Sequence, residues 1–166
     1  MRLIITIFIL TCFSLHLKAP PFKVIYLTTG EKIMPYEAVM RAVAQVESSG
    51  NHLAVGDKNL KLWSYGKWQI RQSRLDDYHK QTGIYYRAEE MTDTIKARQV
   101  FMFYASQFDY RDIERISRCW NGGEKGMSYK STIKYYHKVN REYNRFDKLF
   151  KEADSVFTKK HSDISQ

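Results

Sequence analysis

Apolar residues fall into helical stripes separated by short polar breaks. Val39, Val43 and Val46 recur at i, i+4 and i+7, with Met40 and Glu47 on the adjoining stripe, which predicts a helix opened by Pro35. Ser48-Ser49-Gly50-Asn51 predicts its C-terminal stop. Residues 50–71 carry Gly, Asn and Lys without helical periodicity and read as a loop or short hairpin. Ser73 is expected to cap a helix bearing Leu75, Tyr78 and His79, closed by Gly83. Thr92 or Asp93 opens the next, with Ile95, Val100, Phe103 and Tyr104 as its apolar positions. Asp112 to Trp120 forms a further helix, stopped by Asn121-Gly122-Gly123. Ser131 or Thr132 caps a long last helix through Tyr135, Tyr136, Val139, Tyr143, Phe146, Leu149 and Phe150. From about Asp154 the chain is polar and expected to fray. The expectation is a mainly α domain over 35–152, preceded by a leader at 20–34 and followed by a polar tail at 153–166.

The N-terminal pattern differs. Arg2 precedes an apolar stretch from Leu3 to Leu17, and Ala19 offers a cleavage position. The stretch is shorter than the ~20 apolar residues of a membrane span, so 1–19 reads as a signal peptide or, because Pro20 follows Ala19, as an uncleaved anchor. Either makes the chain an exported protein of the periplasm or cell envelope, with membrane contact only through this segment.

Charge narrows the partners. The net charge is +9; removing residues 1–19 takes Lys+Arg from 27 to 25, leaves Asp+Glu at 18, and gives +7. A basic protein is drawn to polyanions, but the basic residues are scattered with no run of five, which argues against nucleic acid. Without the N-terminal segment and its Cys12, Cys119 stands alone and no internal disulfide forms. No Cys/His cluster has zinc spacing, so no metal is expected.

Glu47 is the leading candidate for chemistry. It lies in the last turn of an apolar-periodic helix, where burial and the helix dipole both oppose a negative charge. A carboxyl that keeps its proton near neutrality is what glycosidic bond cleavage requires. Four short motifs surround that reading: Gln45-Val46-Glu47-Ser48, Gly66-Lys67-Trp68-Gln69, Cys119-Trp120-Asn121-Gly122, and Thr132-Ile133-Lys134-Tyr135. In that order, across about residues 35–145, they resemble the Glu-Ser, Gly-x-x-Gln, Ala-Tyr-Asn-Gly and Glu-Thr-x-x-Tyr motifs of the soluble lytic transglycosylase domain.

The resemblance implies a lysozyme-like, mainly α fold. It also implies cleavage of the β-1,4 bond between N-acetylmuramic acid and N-acetylglucosamine in peptidoglycan, leaving a 1,6-anhydromuramic end. Glu47 would then be the general acid and base, with Ser48, Gly66, Gln69, Trp120, Asn121 and Tyr135 around the substrate. No cofactor is implied. Gly66 would let sugar approach the backbone, Gln69 would position it, and the Tyr135 hydroxyl would reach the carboxyl. Ser48 would bond either Glu47 or substrate. Trp120 replaces the family's Tyr and keeps an aromatic face, Asn121 reads equally as an N-acetyl ligand or a helix cap, and Trp68 reads as core beneath its turn. Ser131 departs from the motif Glu, and the Asp57-Lys58-Asn59-Leu60-Lys61 loop departs from the usual small residues.

That departure keeps a second outcome open. A carboxylate across the groove, at Asp57 or Asp76, would activate water and make the protein a muramidase, as in goose-type lysozymes. A non-catalytic wall-binding protein is the third reading. Glycan strands are the expected partner, in the setting of wall turnover or of a secretion, conjugation or phage apparatus.

Overall fold

The stripes sort the chain into five helices and two small sheets, seen in a computed structural model that describes residues 25–26, 32–33 and 35–164. The expected signal or anchor over 1–19 lies outside the described residues. Within the expected leader, β1 (Ile25–Tyr26) and β2 (Lys32–Ile33) pair antiparallel.

Helix α1 (Glu37–Ser48) begins two residues after Pro35, and Val39, Ala42 and Val43 are fully buried, so the apolar stripe is its inner face. Glu37 in its first turn receives Arg41 and Arg98, and it also suits the positive end of the helix dipole. The helix ends where Ser49 and Gly50 both take positive φ and turn their amides back onto the Gln45 and Ala44 carbonyls. The following segment is a three-stranded antiparallel sheet of β3 (Val55–Gly56), β4 (Ser64–Tyr65) and β5 (Ile70–Arg71), with Tyr65 opposite both Val55 and Ile70.

Helix α2 (Gln72–Thr82) starts directly from β5. Ser73 does not cap it, a correction to the sequence expectation: Arg71 holds the cap position and no side chain bonds the free amides. Helix α3 (Thr94–Ala105) is capped by Asp93, whose carboxylate accepts from the Ile95 and Lys96 amides. Ile95 itself is 80% exposed, because the buried stripe runs through Ala97, Val100, Phe101 and Ala105 one turn later. Asp112 caps α4 (Ile113–Gly122), which takes in Asn121 and Gly122 before Gly123 ends it. The last helix, α5 (Ser131–Ile164), has 34 residues and continues through the stretch expected to fray. Thr132 lies inside its first turn, with its hydroxyl beside the Gly126 and Tyr129 carbonyls while it accepts from Arg118.

The core is built from buried residues of α1, α2, α3 and α4 with Trp68 and Ile70 of the hairpin, and α5 packs on α1 and α4. Trp68 stacks on Phe101 and donates to the Met40 carbonyl, so it is core beneath the hairpin. Among the described residues no helix is long and apolar enough to cross a membrane. The molecule is thus mainly α with a small sheet inserted between α1 and α2.

Two glycines separate backbone conformation from contact. Gly50 and Gly66 both have positive φ, but a Cβ on Gly50 meets open space while one on Gly66 would collide with the Met91 carbonyl. Gly50→Ala should cost about 1 kcal/mol and Gly66→Ala more than about 2 kcal/mol, read from urea unfolding midpoints. Equal costs would show that the hairpin moves freely off Met91.

Candidate active site

Helix α1 delivers Glu47 to the floor of a groove of ≈ 980 Å³ between the hairpin, α2 and the end of α4. Residue 47 lies eight positions beyond Val39 on the buried side of α1, so its carboxyl leaves water with the apolar stripe. Burial pushes the Glu47 carboxyl above the usual carboxylate range. Hydrogen bonding by Tyr135 and the nearby Arg74 charge pull it down, the Asp57 charge pushes it up again, and the Trp120 indole is a further donor that lowers it. The Tyr135 hydroxyl on α5 donates to Glu47 Oε1 at 2.7 Å. Burial beside this carboxyl holds the Tyr135 phenol well above its usual range, so it acts as a donor.

Asn121 reaches the same groove. It is exposed in the last turn of α4, and its side-chain amide has no hydrogen-bond partner among the described residues. That leaves a donor and an acceptor free for a ligand.

The other motif residues serve the frame. Gln69 lines the groove, but both ends of its amide are engaged. Its Oε1 faces the Ser64 hydroxyl at 2.8 Å and its Nε2 donates to the Gly66 and Ala54 carbonyls. These bonds hold Gln69 itself at a φ of 48°, so it shapes the turn rather than offering itself to substrate. Ser48 bonds neither Glu47 nor the groove: its hydroxyl donates to the Lys67 carbonyl at 2.8 Å and ties the end of α1 to the turn. The close approach that Gly66 permits is that of the Met91 carbonyl, not of a ligand. Trp120 is 6% exposed and packs on Phe101, so it is a wall of the groove rather than an open stacking face.

Of the two candidate second carboxylates, Asp57 lines the groove and Asp76 does not. Asp76 accepts from Gln72 on the exposed side of α2. The Ser64 hydroxyl, whose single proton Gln69 Oε1 competes for, and the paired Arg71 guanidinium hold Asp57 below its usual range, with Arg71 donating from Nε at 3.1 Å and Nη2 at 2.9 Å.

The sequence reading missed the α2 face. Ser73, Arg74, Asp77, Lys80 and Gln81 all line the groove. Their spacing of three and four is a polar helical stripe, visible in the sequence but indistinguishable there from a solvated face. Among the described residues no group of three or more His, Cys, Asp or Glu is arranged to hold a metal ion.

The chain matches no protein-family model, and no curated protein matches it.

Because burial raises Glu47 above the ordinary value of a free glutamate, the folded chain holds a proton that the unfolded chain releases. The stability tied to that proton is complete below the unfolded value and is lost as pH rises through the folded value. Glu47→Gln removes this dependence. The variant should therefore gain on the wild type in melting temperature between about pH 4 and about pH 8. A constant difference across that range would mean that the carboxyl is not desolvated.

Proposed function

We propose that the protein is a peptidoglycan lytic transglycosylase with a lysozyme-like fold, exported to the cell envelope, with Glu47 as its general acid and base. The observation that carries this reading is a desolvated carboxyl on the floor of an open groove, held by one phenolic donor. The four ordered motifs and the mainly helical fold with a hairpin beside the carboxyl support it.

In the proposed reaction, Glu47 gives its proton to the glycosidic oxygen as the C1–O bond of N-acetylmuramic acid breaks, and N-acetylglucosamine leaves with a free 4-hydroxyl. Positive charge develops at C1. The Glu47 carboxylate, stabilised by the Tyr135 hydroxyl, then takes the proton of the muramic C6 hydroxyl while that oxygen closes on C1. The 1,6-anhydro bond forms, Glu47 is protonated again, and no water is consumed. Asn121 is available to the substrate's amide or hydroxyl groups.

Hydrolysis of the same bond is the second reading, because Asp57 shares the groove and its charge acts on Glu47. The Arg71 fork on Asp57 weakens it as a base for water, which favours the first reading.

Peptidoglycan digested with the full chain should yield 1,6-anhydromuramic ends by mass spectrometry. Glu47→Gln should lower the yield at least ~100-fold while leaving the circular dichroism spectrum unchanged. Reducing muramic ends that vanish in Asp57→Asn would instead establish hydrolysis. No cleavage by folded protein would remove both readings.

A further inference from the structure

Arg74 is a cation without a counter-ion inside the groove. It sits in the first turn of α2, where its guanidinium carbon lies 4.3 Å from the Trp120 ring centroid and 4.8 Å from that of Tyr104. Its Nη2 donates to the Trp120 carbonyl at 2.5 Å, and the Tyr104 hydroxyl locks the Arg74 carbonyl at 2.8 Å. Among the described residues it forms no ion pair, and Trp120 supplies its one hydrogen-bond acceptor. A guanidinium has five donors in a planar fork, and Arg74, which lines the groove, spends one of its nitrogens on the Trp120 carbonyl among the described residues.

The energetics favour an incoming anion. Burial opposes the charge on Arg74, and the charges of Glu47 and Asp77 act on it only from beyond ion-pair distance. Two ring faces and one carbonyl compensate part of the cost of a desolvated cation, and a carboxylate in the fork would compensate the rest. Arg71, Lys80 and Lys125 line the same groove and add to its attraction for anions, while Asp57, Asp77, Glu124 and an ionised Glu47 oppose it. Because the rings and the carbonyl fix the guanidinium, little rotamer freedom is left to lose on binding.

We infer that Arg74 is a carboxylate-binding residue of the groove, recognising the acid group carried by an N-acetylmuramic acid residue. This rests on the proposed glycan reading and names which sugar the groove distinguishes. N-acetylmuramic acid differs from N-acetylglucosamine by a lactyl ether on C3, whose carboxyl is free in peptide-stripped strands and amide-linked to a stem peptide otherwise. Arg74 and Glu47 line the same groove and each feels the other's charge, so a muramic ring whose C1 lies at Glu47 can present its C3 substituent to the fork. The carboxylate comes from the lactyl group itself or from an acidic residue of the stem peptide. If it is the lactyl group, an amide-hydrolysing step that strips the peptide must precede cleavage.

The test is isothermal titration of the full chain with monosaccharide-sized probes, which are not cleaved. N-acetylmuramic acid should bind at least ~10-fold more tightly than its methyl ester or N-acetylglucosamine. Arg74→Gln should erase the difference and Arg74→Lys should keep part of it. An N-acetylmuramyl dipeptide with a free side carboxylate identifies the source: Arg74-dependent binding as tight as that of the free acid assigns the stem peptide, weaker binding the lactyl group. Equal affinity of acid and ester, with a dipeptide that binds no more tightly than the ester, overturns the inference even where Arg74→Gln fails to fold, since these comparisons use the wild type alone. Acid-selective binding without glycan cleavage would leave the subsite standing and remove the transglycosylase reading. Cleavage without acid selectivity would do the reverse.

Discussion

The hydrogen bond from Tyr135 to Glu47 is the point at which packing and chemistry meet. Glu47 leaves water because the apolar stripe of α1 turns its side inward, and the negative end of the helix dipole adds to the cost of charge there. One donor at 2.7 Å limits that cost without abolishing it. Burial raises the carboxyl's hold on its proton and hydrogen bonding to the anion lowers it, with burial the larger effect. A group so balanced can give a proton and take one back, which a fully exposed Glu or a tightly ion-paired Glu does less well.

Around this point the hairpin acts as a fitted wall. Ser48 ties it to α1, the Gln69 amide ties its two ends together, and Gly66 lets it press against Met91. Residues that match a motif are thus not all residues that touch a ligand. At Ser48, Gly66 and Gln69 the chain needs particular side chains to set backbone shape, and the groove inherits its form from them. Glu47, Asn121 and the neighbouring α2 stripe are what the groove presents to an occupant.

Periodicity made the helices legible, because an inward face has to repeat every three to four residues. The cap at Asp93 was one of two openings the sequence offered, beside Thr92, and the start of α4 was legible at Asp112, where a short acidic side chain satisfies an otherwise orphaned amide. Ser73 failed as a cap because β5 runs straight into α2, so the backbone at Arg71 already occupies that position. Ile95, read as an apolar position of α3, faces water because a first-turn residue can be apolar and still lie off the buried stripe. Trp120 was legible as an aromatic of the site, but its burial under Arg74 was not, because that depends on a contact between residues 46 positions apart. Arg74 and Asp77 escaped notice for the same reason: a polar stripe looks alike whether it borders solvent or a groove.

The separation between Glu47 and Tyr135 has a consequence in time. The two residues stand 88 positions apart, so their contact closes a long loop and cannot form until most of the chain exists. A nascent or unfolded chain carries Glu47 as an ordinary solvated carboxylate with an ordinary affinity for protons. Only when the last helix docks on the first is the group tuned. The proton affinity of Glu47 is in this sense set last, when α5 docks on α1.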